Sequence, residues 1–222
     1  MTSPDEPPAN RAARSVHRRR LPRLFLPVVP DVIGLLGSQA KLSVDGMVSF
    51  ESWSRGAGGV AADAVRSAQH DAYDARRRLL EALQSALSTP IDQEDLFVIS
   101  ERIDRVVVRA RNVVREGEVL GWEPDGHAAA MSGHLTAGAR AVASAAALLV
   151  KDPQEAGRQA DLASEAAYEV ERCYRVAMGK LVTSEDLRKV LIGQDMYRRY
   201  IVVAEAVAAV ADRLWAAVLR GA

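Results

Sequence analysis

The clearest pattern in the chain is a repeat of apolar positions three and four residues apart along two neighbouring segments. Apolar residues at this spacing form one face of an α-helix, so they predict two long amphipathic helices over about 60–88 and 92–120. The first stripe consists of Val65, Ala68, Ala72, Ala75, Leu79, Ala82 and Ala86, and the second of Leu96, Ile99, Ile103, Val106, Ala110, Val113 and Leu120.

Four further segments have helical character. They are predicted over 31–54, over 127–150, from the Lys151-Asp152-Pro153 break onward, and after a turn at 183–187. The predicted inner face of the fifth helix is Leu162, Ala166, Cys173, Ala177 and Leu181, and that of the sixth is Tyr197, Tyr200, Ala204, Val207, Ala211, Leu214 and Val218.

The helices and their short connections predict an all-α fold. Short connections between long helices favour antiparallel neighbours. We therefore expect about six long helices in two antiparallel three-helix bundles packed lengthwise, within a helical domain over 24–222. The first three-helix unit is predicted over 24–121 and the second over 125–222.

A turn motif suggests that this helical unit is duplicated. The segment Ser88-Thr89-Pro90-Ile91-Asp92-Gln93-Glu94-Asp95-Leu96 joins the second and third helices, and Thr183-Ser184-Glu185-Asp186-Leu187 repeats it in weaker form before the sixth. Either Thr89 or Asp92 is a candidate cap for the third helix, and Pro90 ends the second. Glu94 and Asp95 fall in the first turn, where the helix dipole favours negative charge.

Composition narrows the classes of function. The chain is 49% hydrophobic and 26% charged with zero formal net charge, the balance of a globular protein rather than of a nucleic-acid-binding one. Aromatic residues make up 5% of the chain, too few to predict a surface on which bases stack. The single cysteine, Cys173, is predicted to be a buried structural thiol.

The N-terminal residues differ from the rest. Residues 1–23 are rich in Pro, Arg and Ser and are predicted to form a disordered basic tail. The apolar stretch that follows is interrupted by Pro27, Pro30 and Asp31, which does not suit an export signal. A solvated tail is the simplest interpretation, and a weak contact with anionic lipid is the functional alternative. No stretch of about 20 apolar residues predicts a membrane span.

Several acidic residues beside the helical stripes are candidate metal ligands. His70 and Asp74 are four residues apart and share a helix face, from which both could bind one metal ion. Other acids next to core positions are Glu101, Asp104, Glu165, Glu169, Glu171, Glu205 and Asp212. The alternative is that these acids are ordinary ion-pair partners, since Arg105, Arg172 and Arg213 are adjacent. No Glu-x-x-His pair, Walker loop, dinucleotide fingerprint or cysteine pair occurs.

The order of these motifs resembles the small bacterial and archaeal proteins described as phosphate transport regulators, distant relatives of PhoU. The most specific match is Thr89-Pro90-Ile91-Asp92-Gln93-Glu94-Asp95, where the family usually has Thr-Pro-Ile-Asp-Arg-Glu-Asp. Weaker matches are Glu116-Gly117-Glu118-Val119-Leu120, Tyr174-Arg175-x-Ala177-Met178 and Asp212-Arg213-Leu214-Trp215. The similarity covers roughly residues 24–221.

The resemblance implies a PhoU-like fold and an accessory role beside a low-affinity phosphate permease of the Pit type. Relatives of PhoU can bind iron or zinc clusters through Glu/Asp-x3-Asp motifs, and the resemblance carries these motifs to four positions of this chain. They are incomplete here: His70 precedes Asp74, but Val108 follows Asp104, Ala167 precedes Glu171 and Ile201 precedes Glu205. The residual candidate ligands for iron or zinc are therefore His70, Asp74, Asp104, Glu171 and Glu205.

The expected protein is a non-enzymatic regulator in the cytoplasm, peripheral to the inner face of the cell membrane. It would bind a Pit-type permease and bias its conformational equilibrium, with no nucleic-acid partner. Two alternatives remain: a helical scaffold that assembles into homo-oligomers without any link to phosphate, and a metal-dependent enzyme, which would need converging ligands and an open coordination position.

Overall fold

A computed structural model describes residues 30–221 as six α-helices. They are α1 (Val32–Ser54), α2 (Gly58–Ser85), α3 (Gln93–Leu120), α4 (Gly126–Leu148), α5 (Pro153–Leu181) and α6 (Leu187–Gly221). Over this range the chain contains no β-strand, so the predicted all-α class with about six long helices is confirmed. The predicted basic tail, residues 1–23, lies outside the described residues.

Aspartate side chains cap the starts of five helices. In the first turns of α1, α3, α4, α5 and α6, a backbone N–H donates a hydrogen bond to the side chain of Asp31, Asp92, Asp125, Asp152 and Asp186 respectively. Such bonds satisfy N–H groups that have no partner within the helix. Of the two caps considered for α3, Asp92 takes the role, and the Thr89 hydroxyl instead donates to the Ile91 carbonyl.

The end of α2 differs from its prediction. The helix ends at Ser85, three residues before the predicted Ser88, because the backbone is already extended at Ala86. The carbonyl of Ala86 accepts a hydrogen bond from the Gln93 side chain of α3. The α2–α3 connection is therefore longer than the sequence pattern indicated.

The six helices pack as two groups of three. Helices α1, α2 and α3 all contact one another, as do α4, α5 and α6. The two groups meet where α1 packs against α4 and α3 packs against α6. The junction of α3 and α6 carries the charged groove described below.

Most predicted core stripes are buried, but the predicted inner face of α5 was correct only near the end of the helix, where Ala177 and Leu181 are buried. All seven predicted positions of α6 are buried, as are six of the seven in α3. In α5, Leu162 is 46% exposed, and Cys173 is half-buried rather than fully buried. The residues of α5 that pack inward are Ala156, Gly157, Ala160, Ala163, Ala167, Val170, Ala177 and Leu181. Small side chains let α5 approach α4 closely, and their weak hydrophobic signal explains the error.

Polar contacts also join the two groups of helices. Asp95 of α3 is 2% exposed and accepts hydrogen bonds from Arg220 of α6. Its Oδ1 also lies 2.7 Å from Nη2 of Arg213, which is on α6 as well. The hydroxyls of Ser54 in α1 and Tyr200 in α6 are hydrogen-bonded at 2.8 Å, and both residues are buried. These bonds secure the relative positions of α1, α3 and α6.

Candidate functional site

Among the five predicted metal ligands, His70 and Asp74 lie beside each other on α2. Nε2 of His70 is 3.7 Å from Oδ2 of Asp74, and the two side chains are 75% and 46% exposed. Within residues 30–221, no group of three or more His, Cys, Asp or Glu side chains is placed to hold a metal ion. The described residues thus form a pair of candidate ligands and no larger cluster.

Asp104 lies on α3 in a partly buried environment. Burial raises the pKa of its carboxyl, Arg76 opposes this by lowering the pKa, and the negative charge of Glu101 raises it. Its Oδ1 atom is buried and has no hydrogen-bond partner among the described residues. Together these effects raise the pKa of Asp104, so its carboxyl is protonated more readily than that of an exposed aspartate. Protonation is unfavourable for metal binding, because a carboxyl group binds a metal ion in its deprotonated form.

The other acids are arranged mainly as ion-pair partners. Oε2 of Glu171 lies 3.6 Å from Nη1 of Arg175 on the exposed side of α5. Arg105 pairs with Glu101, and Arg172 pairs with Glu169 at 3.1 Å. For these acids the described structure shows the contacts of the ion-pair alternative.

Glu205 lies in a groove between α3 and α6. The α3 wall of this α3/α6 groove is formed by Arg102, Arg105 and Arg109, and the α6 wall by Val202, Glu205, Ala206 and Ala209. The predicted metal ligand Glu205 therefore shares this groove with three arginines, whose positive charge opposes the binding of a cation. The three-and-four spacing of these arginines was visible in the sequence, but nothing there showed that α6 would lie opposite.

A second basic groove lies on the other side of α3, between α2 and α3. It is lined by Arg66, Gln69, His70, Arg111 and Arg115. Nη1 of Arg111 donates to the Gln69 side chain at 3.1 Å, and Arg66 is held by both Asp63 and Glu118. His70, a candidate metal ligand, thus also has arginines as neighbours.

Aromatic residues form a cluster at the end of the molecule where α3 connects to α4. Phe50, Trp53, Trp122, Tyr197 and Tyr200 are linked by successive ring contacts with centroids 5.2–6.4 Å apart. The hydroxyl of Tyr197 donates to Asp125, the residue that caps α4. Burial, then the hydrogen bond and charge of Asp125, raise the pKa of Tyr197. Trp53 and Trp122 thus pack against other rings within this cluster.

This aromatic cluster forms one side of an open cavity of about 520 Å³. Trp122 and Tyr197 line it together with Asp186, Arg188 and Lys189 from the region where α6 begins. The cavity contains charges of both signs and no grouping of nucleophile, base and orienting residue that would indicate a catalytic centre.

Comparison with known proteins supports the fold. No family model and no curated protein sequence matches the chain. Among solved structures, a PhoU-like protein from Shewanella oneidensis MR-1 is 17% identical with a TM-score of 0.63, covering 85% of this chain and 99% of that one. A candidate PhoU-like phosphate regulatory protein from the same organism is 15% identical with a TM-score of 0.57, at the same coverage. The fold is therefore PhoU-like, as the sequence resemblance predicted.

Proposed function

We propose that this protein is a non-enzymatic regulator of phosphate transport that binds a Pit-type permease from the cytoplasmic side of the membrane. The observation that supports this most is the PhoU-like arrangement of all six helices, which extends over 99% of two solved structures, one of them described as a candidate phosphate regulatory protein. A fold alone does not specify a function. The sequence motif Thr89–Asp95, which resembles that of the phosphate transport regulators, therefore adds separate support for the same assignment.

The proposed mechanism is selective binding to one transport state of the permease. A partner that binds one conformation more tightly shifts the equilibrium toward it by that difference in affinity. No helix among residues 30–221 is long and apolar enough to cross a membrane. In this mechanism the helical domain itself contacts the permease, and the basic residues 1–23 add electrostatic attraction to anionic lipid.

Affinity purification from gently solubilised membranes of the native host tests whether this protein binds a Pit-type permease. Cells expressing the tagged protein are grown with ample and with scarce phosphate, and recovered proteins are identified by mass spectrometry. We expect a Pit-type permease in amounts that change with phosphate supply, and the tagged permease should recover this protein in return. A tagged helical protein of unrelated function is the control. Recovery of the chain alone under both conditions would contradict the proposal.

A separate vesicle experiment tests the contribution of residues 1–23. The full chain and a chain beginning at residue 24 are sedimented with anionic and with neutral vesicles at low ionic strength, where electrostatic attraction is strongest. We expect deletion to reduce sedimentation with the anionic vesicles only. Equal sedimentation of the two chains would exclude a lipid contact through the tail.

The scaffold alternative is favoured by one observation on α5. Leu162 and Val176 are 46% and 54% exposed and are 14 residues apart, which places them on nearly the same face of the helix. Because about 21 Å of helix separates them, they form two points on one face at which a second copy of the chain could pack, rather than a continuous apolar patch. Light scattering on the purified chain distinguishes the scaffold from the permease regulator. A scaffold is supported if the chain self-associates stably, if the double substitution Leu162→Glu, Val176→Glu abolishes this association, and if no permease is recovered in the affinity purification.

A bound iron or zinc ion remains a narrower proposal. His70 and Asp74 could supply two of its ligands, and within residues 30–221 no third His, Cys, Asp or Glu is placed to join them. Metal analysis of protein purified without added metal tests it, with His70→Ala as the variant. Equal metal content in both proteins would exclude His70 as a ligand.

A further inference from the structure

The α3/α6 groove brings three guanidinium groups to one side of α3. Arg102, Arg105 and Arg109 are three and four residues apart, so they follow one another along the same face, separated by about 4.5 and 6 Å along the helix axis. The groove has a volume of about 240 Å³ and is open to solvent. It therefore has room for a small polyatomic ion beside these side chains.

The opposite wall leaves this space free. Three of its four residues, Val202, Ala206 and Ala209, have short aliphatic side chains. Their side chains carry no polar group that could pair with the arginines, and they are too short to fill the groove. Glu205 is the one carboxylate on this wall, so the lining has three positive groups and one negative group.

The three arginines differ in how they are held. Arg102 is anchored across the groove, because its Nη1 donates a hydrogen bond to the backbone carbonyl of Ala209 in α6. Arg105 is paired with Glu101 of its own helix. Arg109 forms no ion pair with any other residue in the range 30–221, although it lies at the same groove. The groove thus contains one guanidinium group held in place by a hydrogen bond, that of Arg102, and one without an ion-pair partner among residues 30–221, that of Arg109.

We propose that the α3/α6 groove is a binding site for a phosphate group. Guanidinium groups present planar, fixed pairs of N–H donors that match the oxygens of phosphate and remain charged at any physiological pH. The same charges oppose a divalent cation at Glu205, so this site reverses the charge preference of the metal site predicted there. The ligand is either free inorganic phosphate or the phosphate chain of a larger compound. The inference stands on the groove and does not require the permease.

Titration calorimetry on the full-length protein at low ionic strength tests the site, with inorganic phosphate in one arm and pyrophosphate in the other. Sodium chloride at matched ionic strength is the blank. We expect saturable binding that weakens as salt is added, because the contacts are between solvent-accessible charges. Preference for inorganic phosphate would identify the free ion as ligand, and preference for pyrophosphate would identify a phosphate chain.

Three variants locate the binding. We expect Arg109→Gln to weaken binding about tenfold or more, since it removes a charge-assisted contact. Glu205→Gln should tighten binding a few-fold because it removes the negative charge, whereas a metal site would lose its ligand in the same variant. Arg77→Gln is the matched control, because Arg77 is a 62% exposed arginine on α2, outside the groove. Circular dichroism confirms that each variant is folded.

Several results would overturn the site. One is the absence of saturable binding of either probe to the unmodified protein in the millimolar range. Another is equal weakening by Arg109→Gln and Arg77→Gln, which would indicate a general charge effect. Binding of a metal ion that Glu205→Gln abolishes, together with no binding of either phosphate probe, would restore the metal interpretation. Failure of permease recovery would leave the calorimetric result unchanged, so the two proposals are tested separately.

Discussion

The buried hydrogen bond between Ser54 and Tyr200 predicts a specific pattern of stability in single and double variants. The two hydroxyl oxygens are 2.8 Å apart, and the residues are 1% and 0% exposed. The Tyr200 ring lies 5.2 Å from that of Phe50 between centroids. Tyr200→Phe keeps this ring packing and removes the hydroxyl, so its effect reports the hydrogen bond.

The expected cost follows from the burial of the group left behind. In Tyr200→Phe the Ser54 hydroxyl loses its partner away from water, which costs about 1–3 kcal/mol. Ser54→Ala leaves the tyrosine hydroxyl in the same situation and should cost a similar amount. The double variant leaves neither group unpaired, so its cost should fall below the sum of the single costs by about 1–2 kcal/mol.

Urea unfolding followed by circular dichroism measures these free energies, and the slope of the transition checks that the unfolded state is unchanged. In a chain of this length, each 1 kcal/mol lowers the melting temperature by about 2–4 °C. Tyr168→Phe is the matched control, because Tyr168 is 59% exposed and its variant should stay within about 0.5 kcal/mol of the original protein. Strictly additive single costs would refute the hydrogen bond.

Three further predictions follow from particular contacts. Asp95→Ala should reduce the free energy of unfolding by about 2–4 kcal/mol, because it leaves the partly buried Arg213 with the exposed Glu94 as its remaining ion-pair partner, and urea unfolding measures this. Gly157→Ala should destabilise by about 1–3 kcal/mol, since the new Cβ would lie 2.8 Å from Cη2 of Trp215. Asp104→Asn should stabilise the protein at neutral pH: the folded state raises the pKa of Asp104, so ionisation costs stability above that pKa, and this cost disappears below the unfolded value.

Each of these three predictions has a control. Glu94→Ala removes an 82% exposed neighbour of Asp95 and should change stability by less than about 0.5 kcal/mol. Gly37→Ala places its Cβ in open space within α1 and should stabilise by about 0.5–1 kcal/mol through helix propensity. For Asp104→Asn, the difference from the original protein should shrink as the pH is lowered toward 3.8, the ordinary value. A constant difference across pH would contradict the assigned cause.

Much of the fold was predictable because its signals are local. The stripes of α3 and α6 identified their buried faces, and Asp92 was one of two caps considered for α3. The first part of the α5 inner face was not recovered, because its buried residues are mostly alanine, which indicates a core position less clearly than a larger apolar residue does. Leu162 was predicted to be buried on that ground, but it is 46% exposed.

The candidate site was less predictable, because it depends on contacts between distant helices. The pairing of His70 with Asp74 followed from a spacing of four within one helix, and the structure shows it. Neither the arginines beside Glu205 nor the burial of Asp104 follows from such a spacing. The acids beside the stripes were therefore interpreted as metal ligands or ion-pair partners without knowledge of the charges opposite them.

The sequence by itself determined six helices, most of their buried faces and several of their caps, since each depends on residues within a few turns of one another. The tertiary structure decided which helices face each other and hence which charges meet. Arg102 and Ala209 are 107 positions apart, and their hydrogen bond exists only because α3 packs against α6. The electrostatic character of the groove is a sum over both helices, so neither helix alone specifies it.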